Sequence, residues 1–130
     1  MLAYLDTSAL VKLLVAEAET AALTAALEGA DLVTSALARV ELRRAVARHP
    51  DPEAPSRVDA ALATLAQVSP GSELLDQAGR LEPASMRSLD AVHVATALML
   101  GDRLDHLVTY DLRMADAARS HGLAVRAPGR

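Results

Sequence analysis

A run of apolar residues, Leu2-Ala3-Tyr4-Leu5, meets its first charge at Asp6 and passes at once into helical spacing. Nothing else in the chain restricts the fold so strongly. A strand that is apolar on both faces must be covered on both, and a strand leading straight into a helix is the repeating unit of a parallel α/β sheet. Leu10, Leu13 and Leu14 recur at i, i+3 and i+4, giving that helix one apolar stripe, and Thr7 and Ser8 are expected to cap it. Asp6 then stands at the carboxyl end of a strand, where open α/β sheets keep their ligand sites. The plainer role for Asp6 is to cap the helix.

The alternation continues down the chain. A second helical run goes from Thr20 towards Gly29, and Asp31-Leu32-Val33-Thr34 is short and β-prone. Ser35 is expected to cap a long helix from about Ala36 to Arg48, ending before Pro50. The Pro-rich stretch from His49 to Pro55 is a loop between helices, because neither flank could build a core alone. Further helices are predicted over Arg57–Leu65, Ser72–Leu81 and Leu89–Leu100, the last capped by Ser88 and closed by Gly101. Only a weak strand is expected near Val68. His106 to Tyr110 is the second clear strand, with Asp111 directly after it. A helix over Leu112–Ser120 stops at Gly122, and Leu123–Val125 is a last short strand. Such an order predicts a parallel sheet with right-handed crossovers and helices on both faces. With 130 residues the chain fits one domain, residues 1–130.

Four carboxylates occupy positions that solubility does not explain. Asp6 and Asp111 each end an apolar strand, and Asp90 sits in the first turn of an almost wholly apolar helix. Glu41 falls one turn after Leu37, on a face that should look inward. Strand ends and helix starts share one edge of a parallel sheet, so Asp6, Asp90 and Asp111 can converge there, with Glu41 reaching over from its own helix. Each has a bland alternative: Asp90 suits a helix start, Asp111 a cap, and Glu41 a partner such as Arg44. Two carboxylates about 4 Å apart repel by roughly 4 kcal/mol at an effective dielectric near 20. Several in one pocket therefore ask for a cation. With no cysteine and no clustered histidine, the donors would be oxygens, which favour Mg²⁺ or Mn²⁺.

Composition removes other classes. The absence of cysteine excludes disulfides and thiolate metal sites and suits a reducing compartment. No basic leader precedes an apolar segment and no stretch is long enough to span a bilayer, so a cytoplasmic location without membrane contact is expected. Aromatic content of 2%, with no Phe or Trp, leaves almost no platform for stacking bases. A net charge of −4 gives no global pull on nucleic acid, so such binding would need a local basic patch.

Leu5-Asp6-Thr7-Ser8, Glu41 within Arg39-Val40-Glu41-Leu42, Arg87-Ser88-Leu89-Asp90-Ala91-Val92-His93-Val94-Ala95 and Val108-Thr109-Tyr110-Asp111 together resemble the PIN-domain pattern. The likeness is greatest to VapC-type toxins of bacterial toxin–antitoxin pairs and runs from Asp6 to the final strand. It implies a three-layer α/β/α sandwich around a mostly parallel sheet of four or five short strands. It also implies a Mg²⁺-dependent endoribonuclease with Asp6, Glu41, Asp90 and Asp111 around the metal and Thr109 helping to orient the water or metal shell. A small antitoxin that blocks the site, and a toxin homodimer, come with the same resemblance. Arg39, Arg44, Arg87 and Arg113 are then the candidates for holding RNA phosphates. His93, three residues after Asp90, is expected to be a packed core histidine.

Rival readings fare worse. An aspartyl-phosphate enzyme of the kind that needs a second Asp two residues after the first finds Ser8 there. A receiver domain wants a lysine near its acids, and the only lysine, Lys12, lies in the first helix. A non-catalytic module that binds a structural cation or a basic partner peptide is the remaining alternative.

Overall fold

The computed structural model describes residues 1–130. Five strands, β1 (Leu2–Leu5), β2 (Asp31–Ser35), β3 (Ala66–Val68), β4 (His106–Val108) and β5 (Val125–Arg126), form one sheet in the order β3-β2-β1-β4-β5. Every neighbouring pair is parallel, with Ala3 opposite Leu32 on one side and His106 on the other. Seven α-helices connect them: α1 (Thr7–Leu14), α2 (Thr20–Ala26), α3 (Ala38–Ala47), α4 (Val58–Ala63), α5 (Ser72–Arg80), α6 (Ser88–Leu100) and α7 (Leu112–Ser120). The architecture is thus the α/β sandwich expected, with a fully parallel sheet of five strands.

β1 lies at the centre and is covered on both faces. Ala3 and Leu5 point into a core shared with α1, α2, α3 and α4, while Tyr4 points the other way, against Val94 of α6 and Met114 of α7. A second small cluster joins Leu74 and Ala78 of α5 to Ala91, Val92 and Ala95 of α6. This two-sided burial accounts for the absence of polar residues between Leu2 and Leu5. Leaving β1 the chain moves to β2, and it later enters β4 on the opposite side, so the strand order reverses between β1 and β4. At such a reversal the connecting helices diverge to opposite faces and leave a crevice at the carboxyl ends of the strands. No helix is long and apolar enough to cross a membrane.

Several boundaries differ from the sequence-based expectation, each for a local reason. Of the capping residues expected at the start of α1, Asp6 fills the role in place of Thr7 or Ser8: its backbone is extended and its Oδ1 accepts from the Ala9 N–H at 3.0 Å. Ser35 ends β2, whose pairing with β3 runs on through the Ala36 N–H to the Val68 carbonyl, and its Oγ accepts from the Leu37 N–H at 3.2 Å in the turn that leads into α3. The helix therefore starts at Ala38. Ser88 is the first residue of α6, and no side chain caps that helix. Gly101 closes α6 at φ 57°, ψ −133°, a conformation that side-chain-bearing residues avoid. The weak strand around Val68 does pair with β2 and forms one sheet edge. β4 stops at Val108, so Thr109 and Tyr110 lie between the strand and Asp111. The final strand is Val125–Arg126, slightly later than expected.

Candidate active site

The reversal between β1 and β4 puts Asp6 and the Thr109–Asp111 segment side by side. Asp6 is 2% exposed and all its partners are neutral: the Ser8 hydroxyl and Ala9 N–H donate to Oδ1, and the Thr109 hydroxyl donates to Oδ2 at 2.6 Å. Burial pushes the Asp6 carboxyl above the usual aspartate range, and these three hydrogen bonds only partly offset it. The next side chain, Thr7, has a buried hydroxyl oxygen with no partner. No lysine serves the pocket. Lys12 is committed to Glu19 at 2.8 Å and lies 4.7 Å from the centre of the Tyr110 ring.

From Asp6 the polar network is continuous. Thr109 Oγ1 accepts from the Asp111 N–H at 3.1 Å. Asp111 caps α7, its Oδ1 accepting from the Arg113 and Met114 amides, while its Oδ2 faces Arg87 at 3.2 Å. Arg87, just before α6, also donates from Nε to Asp90 Oδ2 at 3.1 Å. One guanidinium thus spans Asp90 and Asp111, and its pKa is raised by Asp90 first and Asp111 second. Asp90 gets there because it opens a helix that starts at the carboxyl edge of the sheet.

Glu41 is reached differently. α3 buries Ala38, Leu42 and Val46 under the sheet, while Leu37 packs against the α5–α6 cluster. Glu41, one turn after Leu37, therefore looks towards α6, where its Oε1 lies 2.6 Å from His93 Nε2. His93 is 1% exposed, as expected of a core histidine, but it is not merely packed: its Nδ1 lies 2.6 Å from the Tyr4 hydroxyl. The pattern of sequence gave one hint of this, since His93 shares a helix face with Asp90 one turn earlier.

Asp6, Thr109, Asp111, Arg87 and Asp90 thus form one hydrogen-bonded chain, and Glu41 stands apart from it on the His93–Tyr4 pair. All four acids do not close on a single point: no group of three or more acidic or imidazole side chains is near enough to one another to cage an ion directly. Arg87 holds Asp90 and Asp111, and His93 turns Glu41 aside. An all-oxygen set of this kind still fits Mg²⁺, which keeps several waters and commonly takes one or two carboxylates plus a substrate phosphate.

The arginines divide. Arg113, at the second position of α7, lines a cleft of about 840 Å³ with Arg87, Asp90, Met86 and Met114. Arg44 is exposed one turn on from Glu41. Arg43 is paired with Asp59 at 2.7 Å, and Arg39 acts on the same aspartate, so that side of α3 turns from the acids.

A model of the PIN domain matches residues 3–120. The chain is 47% identical over 126 residues to Ribonuclease VapC46 of Mycobacterium tuberculosis, covering 96% of each protein. It is 40% identical over 131 residues to Ribonuclease VapC47 of the same species, covering 97% of this chain and 96% of that one. Among solved structures, Mycobacterium tuberculosis VapC20, a Sarcin-Ricin loop cleaving toxin, superposes with a TM-score of 0.74 at 17% identity, over 97% of this chain and 99% of that one. VapBC2 from Rickettsia felis, bound to a DNA fragment from its promoter, gives 0.72 at 17% identity, over 98% and 99%.

Proposed function

This chain belongs to the PIN-domain family, and from that premise we propose that it is a Mg²⁺-dependent endoribonuclease, the toxin of a toxin–antitoxin pair. The observation that carries the reading is Asp6: a carboxylate buried at the strand-order reversal, bonded only to neutral donors, and joined through Thr109, Asp111 and Arg87 to Asp90. A buried charge without a counter-ion is costly, and a divalent cation is the partner that relieves it. Relatives named ribonucleases at 40–47% identity over nearly the whole chain support the same assignment.

Asp6, Asp90 and Asp111 would hold the ion, with Glu41 binding a second one or orienting the attacking water. When bound, the metal supplies a Lewis acid for a phosphoryl oxygen and lowers the pKa of a nearby water. The chain's own residues do the rest. Thr109 and the Ser8 hydroxyl fix both oxygens of Asp6, so the carboxylate needs no reorganisation when substrate arrives. Glu41 keeps Oε1 on His93, which leaves Oε2 to accept a proton from water. Arg87 and Arg113, which line the cleft beside Asp90, would meet the phosphates of an RNA entering there. Arg44 extends that rim beside Glu41. A small antitoxin covering this edge, and a homodimer, follow from the family reading. A light-scattering mass in solution checks the second.

The test is cleavage of RNA by the purified chain. Cutting with millimolar Mg²⁺ or Mn²⁺, lost in EDTA and restored by added metal, is the expected result, together with a gain in stability of RT ln(1 + [L]/Kd) that raises the melting temperature with metal concentration. Thermal stabilisation by metal with no cleavage of any RNA would instead make the chain a binding module. Arg113→Ala is expected to weaken RNA binding severalfold, irrespective of RNA sequence, and to flatten its salt dependence by about one unit of slope. An unchanged salt slope would remove Arg113 from the phosphate path.

A further inference from the structure

We propose that His93 is the positioning residue for Glu41, an imidazole held in one tautomer by Tyr4 so that its Nε2–H fixes the Glu41 carboxylate. The inference rests on the reading of Glu41 as a metal- or water-binding group.

The proton assignment follows from the partners. A carboxylate offers only acceptors, so the imidazole nitrogen 2.6 Å from Glu41 Oε1 must carry the hydrogen. In the neutral imidazole of this proposal Nδ1 is then the accepting nitrogen and takes a donor. The Tyr4 hydroxyl, 2.6 Å away, supplies it, and burial pushes the Tyr4 pKa up, so the phenol keeps its proton. The Tyr4 and His93 rings meet edge to face at 5.7 Å and 76°, a contact that supports this placement of the two side chains. Proton direction is therefore set from the central strand outward: Tyr4 donates to His93, and His93 donates to Glu41.

The relay ties three elements together at the point where the geometry is weakest. Glu41 is the one acid outside the Asp6–Thr109–Asp111–Arg87–Asp90 chain, and it projects from α3 on a side chain with three rotatable bonds. His93 is the one hydrogen-bond and ion-pair partner of the Glu41 side chain. With His93 in place one oxygen is pinned and the other is left for the site. Outer-shell hydrogen bonds of this kind commonly change metal affinity or activity by about 10- to 100-fold when removed.

The experiment uses the full chain and Mn²⁺ as the probe. Calorimetric titration without RNA should show His93→Leu binding Mn²⁺ about tenfold more weakly than the wild type. His93→Gln, which keeps an amide N–H at the end of a side chain of similar reach, should recover most of that loss. Tyr4→Phe frees the tautomer without touching Glu41, and should give an intermediate weakening. In ¹⁵N spectra of the metal-free wild type, His93 should show a protonated Nε2 and an unprotonated Nδ1, and Tyr4→Phe should mix the two. A folded His93→Leu or Tyr4→Phe chain with wild-type Mn²⁺ affinity and wild-type cleavage would overturn the proposal while leaving the nuclease reading intact. A Nδ1-protonated wild type would overturn it as well. A wild type that neither binds Mn²⁺ nor cuts RNA would overturn the nuclease reading, and this proposal with it.

Discussion

Asp6→Asn should abolish cleavage, by about a thousandfold or more, and at the same time make the protein harder to melt at neutral pH. The first effect follows, on the proposed function, from replacing an oxygen that would hold the metal with an amide nitrogen. The second follows from the surroundings. Asn Oδ1 can keep both bonds now made by Asp6 Oδ1, from the Ser8 hydroxyl and the Ala9 N–H, and asparagine caps helices as well as aspartate does. Its Nδ2 would face Thr109 Oγ1, which has a second lone pair to accept with and can turn its own hydrogen to Ser8 Oγ, 3.4 Å away. The substitution therefore removes a buried charge and leaves one Nδ2 hydrogen without a partner, a smaller cost than the uncompensated charge. Relief of about 1–2 kcal/mol is expected, or roughly 5 °C in melting temperature for a chain of this size.

The sign of the pH dependence is fixed by the raised Asp6 pKa. A carboxyl whose folded pKa lies above its unfolded value contributes stability that is fully present below the ordinary aspartate pKa and is lost as pH rises through the folded value. The wild type should gain on the variant as pH falls through that interval, and below it the two melting temperatures should meet. Mg²⁺ should also close the gap at neutral pH by stabilising the wild type alone. Melting curves across pH, with and without Mg²⁺, check this. A variant less stable than the wild type at neutral pH would show that Asp6 is not a strained charge. Residual cleavage above a hundredth of the wild-type rate would remove Asp6 from the reaction.

How much of this was legible beforehand depends on the range of the interactions involved. The strand Leu2–Leu5 and the apolar helix ending at Gly101 could be read directly, because burial on both sides writes itself as an unbroken apolar run. Asp6, Asp90 and Asp111 could be read as sharing one edge, because in a parallel sheet strand ends and helix starts lie on the same side. The edge strand Ala66–Val68 was faint, being only three residues long and partly exposed. Asp6 and Asp111 could be read as caps, but the choice between Asp6 and Thr7 or Ser8, and the place of Ser88 inside its helix, depend on backbone angles that a row of capping residues does not reveal. Apart from the helix face that His93 shares with Asp90, the Arg87 bridge and the Glu41–His93–Tyr4 relay left no mark in the sequence. Arg87 and Asp111 are joined only by tertiary packing, as are Tyr4 and His93, and no local period records such pairs. Arg39 was grouped with the acids by its distance along the chain from Glu41, yet a two-residue offset on a helix turns a side chain to nearly the opposite face.

Thr109→Val should be among the most damaging single changes of near-equal shape in this molecule. Thr109 is fully buried, so Val fills the same space and any effect belongs to the hydroxyl. That hydroxyl donates to Asp6 Oδ2 at 2.6 Å and accepts from the Asp111 N–H at 3.1 Å. The variant loses a charge-assisted bond, worth about 1.5–3 kcal/mol, and leaves the Asp111 amide without its acceptor at about 1 kcal/mol more. A loss of about 3–4 kcal/mol is expected at neutral pH, some 10 °C or more in melting temperature. Thr109→Ser, which keeps the oxygen and gives up a methyl group, should cost only about 1 kcal/mol. Because the lost bond is one that lowers the Asp6 pKa, the variant's Asp6 must titrate higher still than in the wild type. The penalty should therefore shrink as pH falls below the wild-type Asp6 pKa and widen as pH rises through it. Cleavage should fall by about a hundredfold, since Asp6 Oδ2 is then free to turn from the ion it would hold. Chemical denaturation of the Val and Ser variants at acidic and neutral pH separates these contributions. Equal stability of Thr109→Val and the wild type at neutral pH would mean that the link between Asp6 and Asp111 does not run through this hydroxyl.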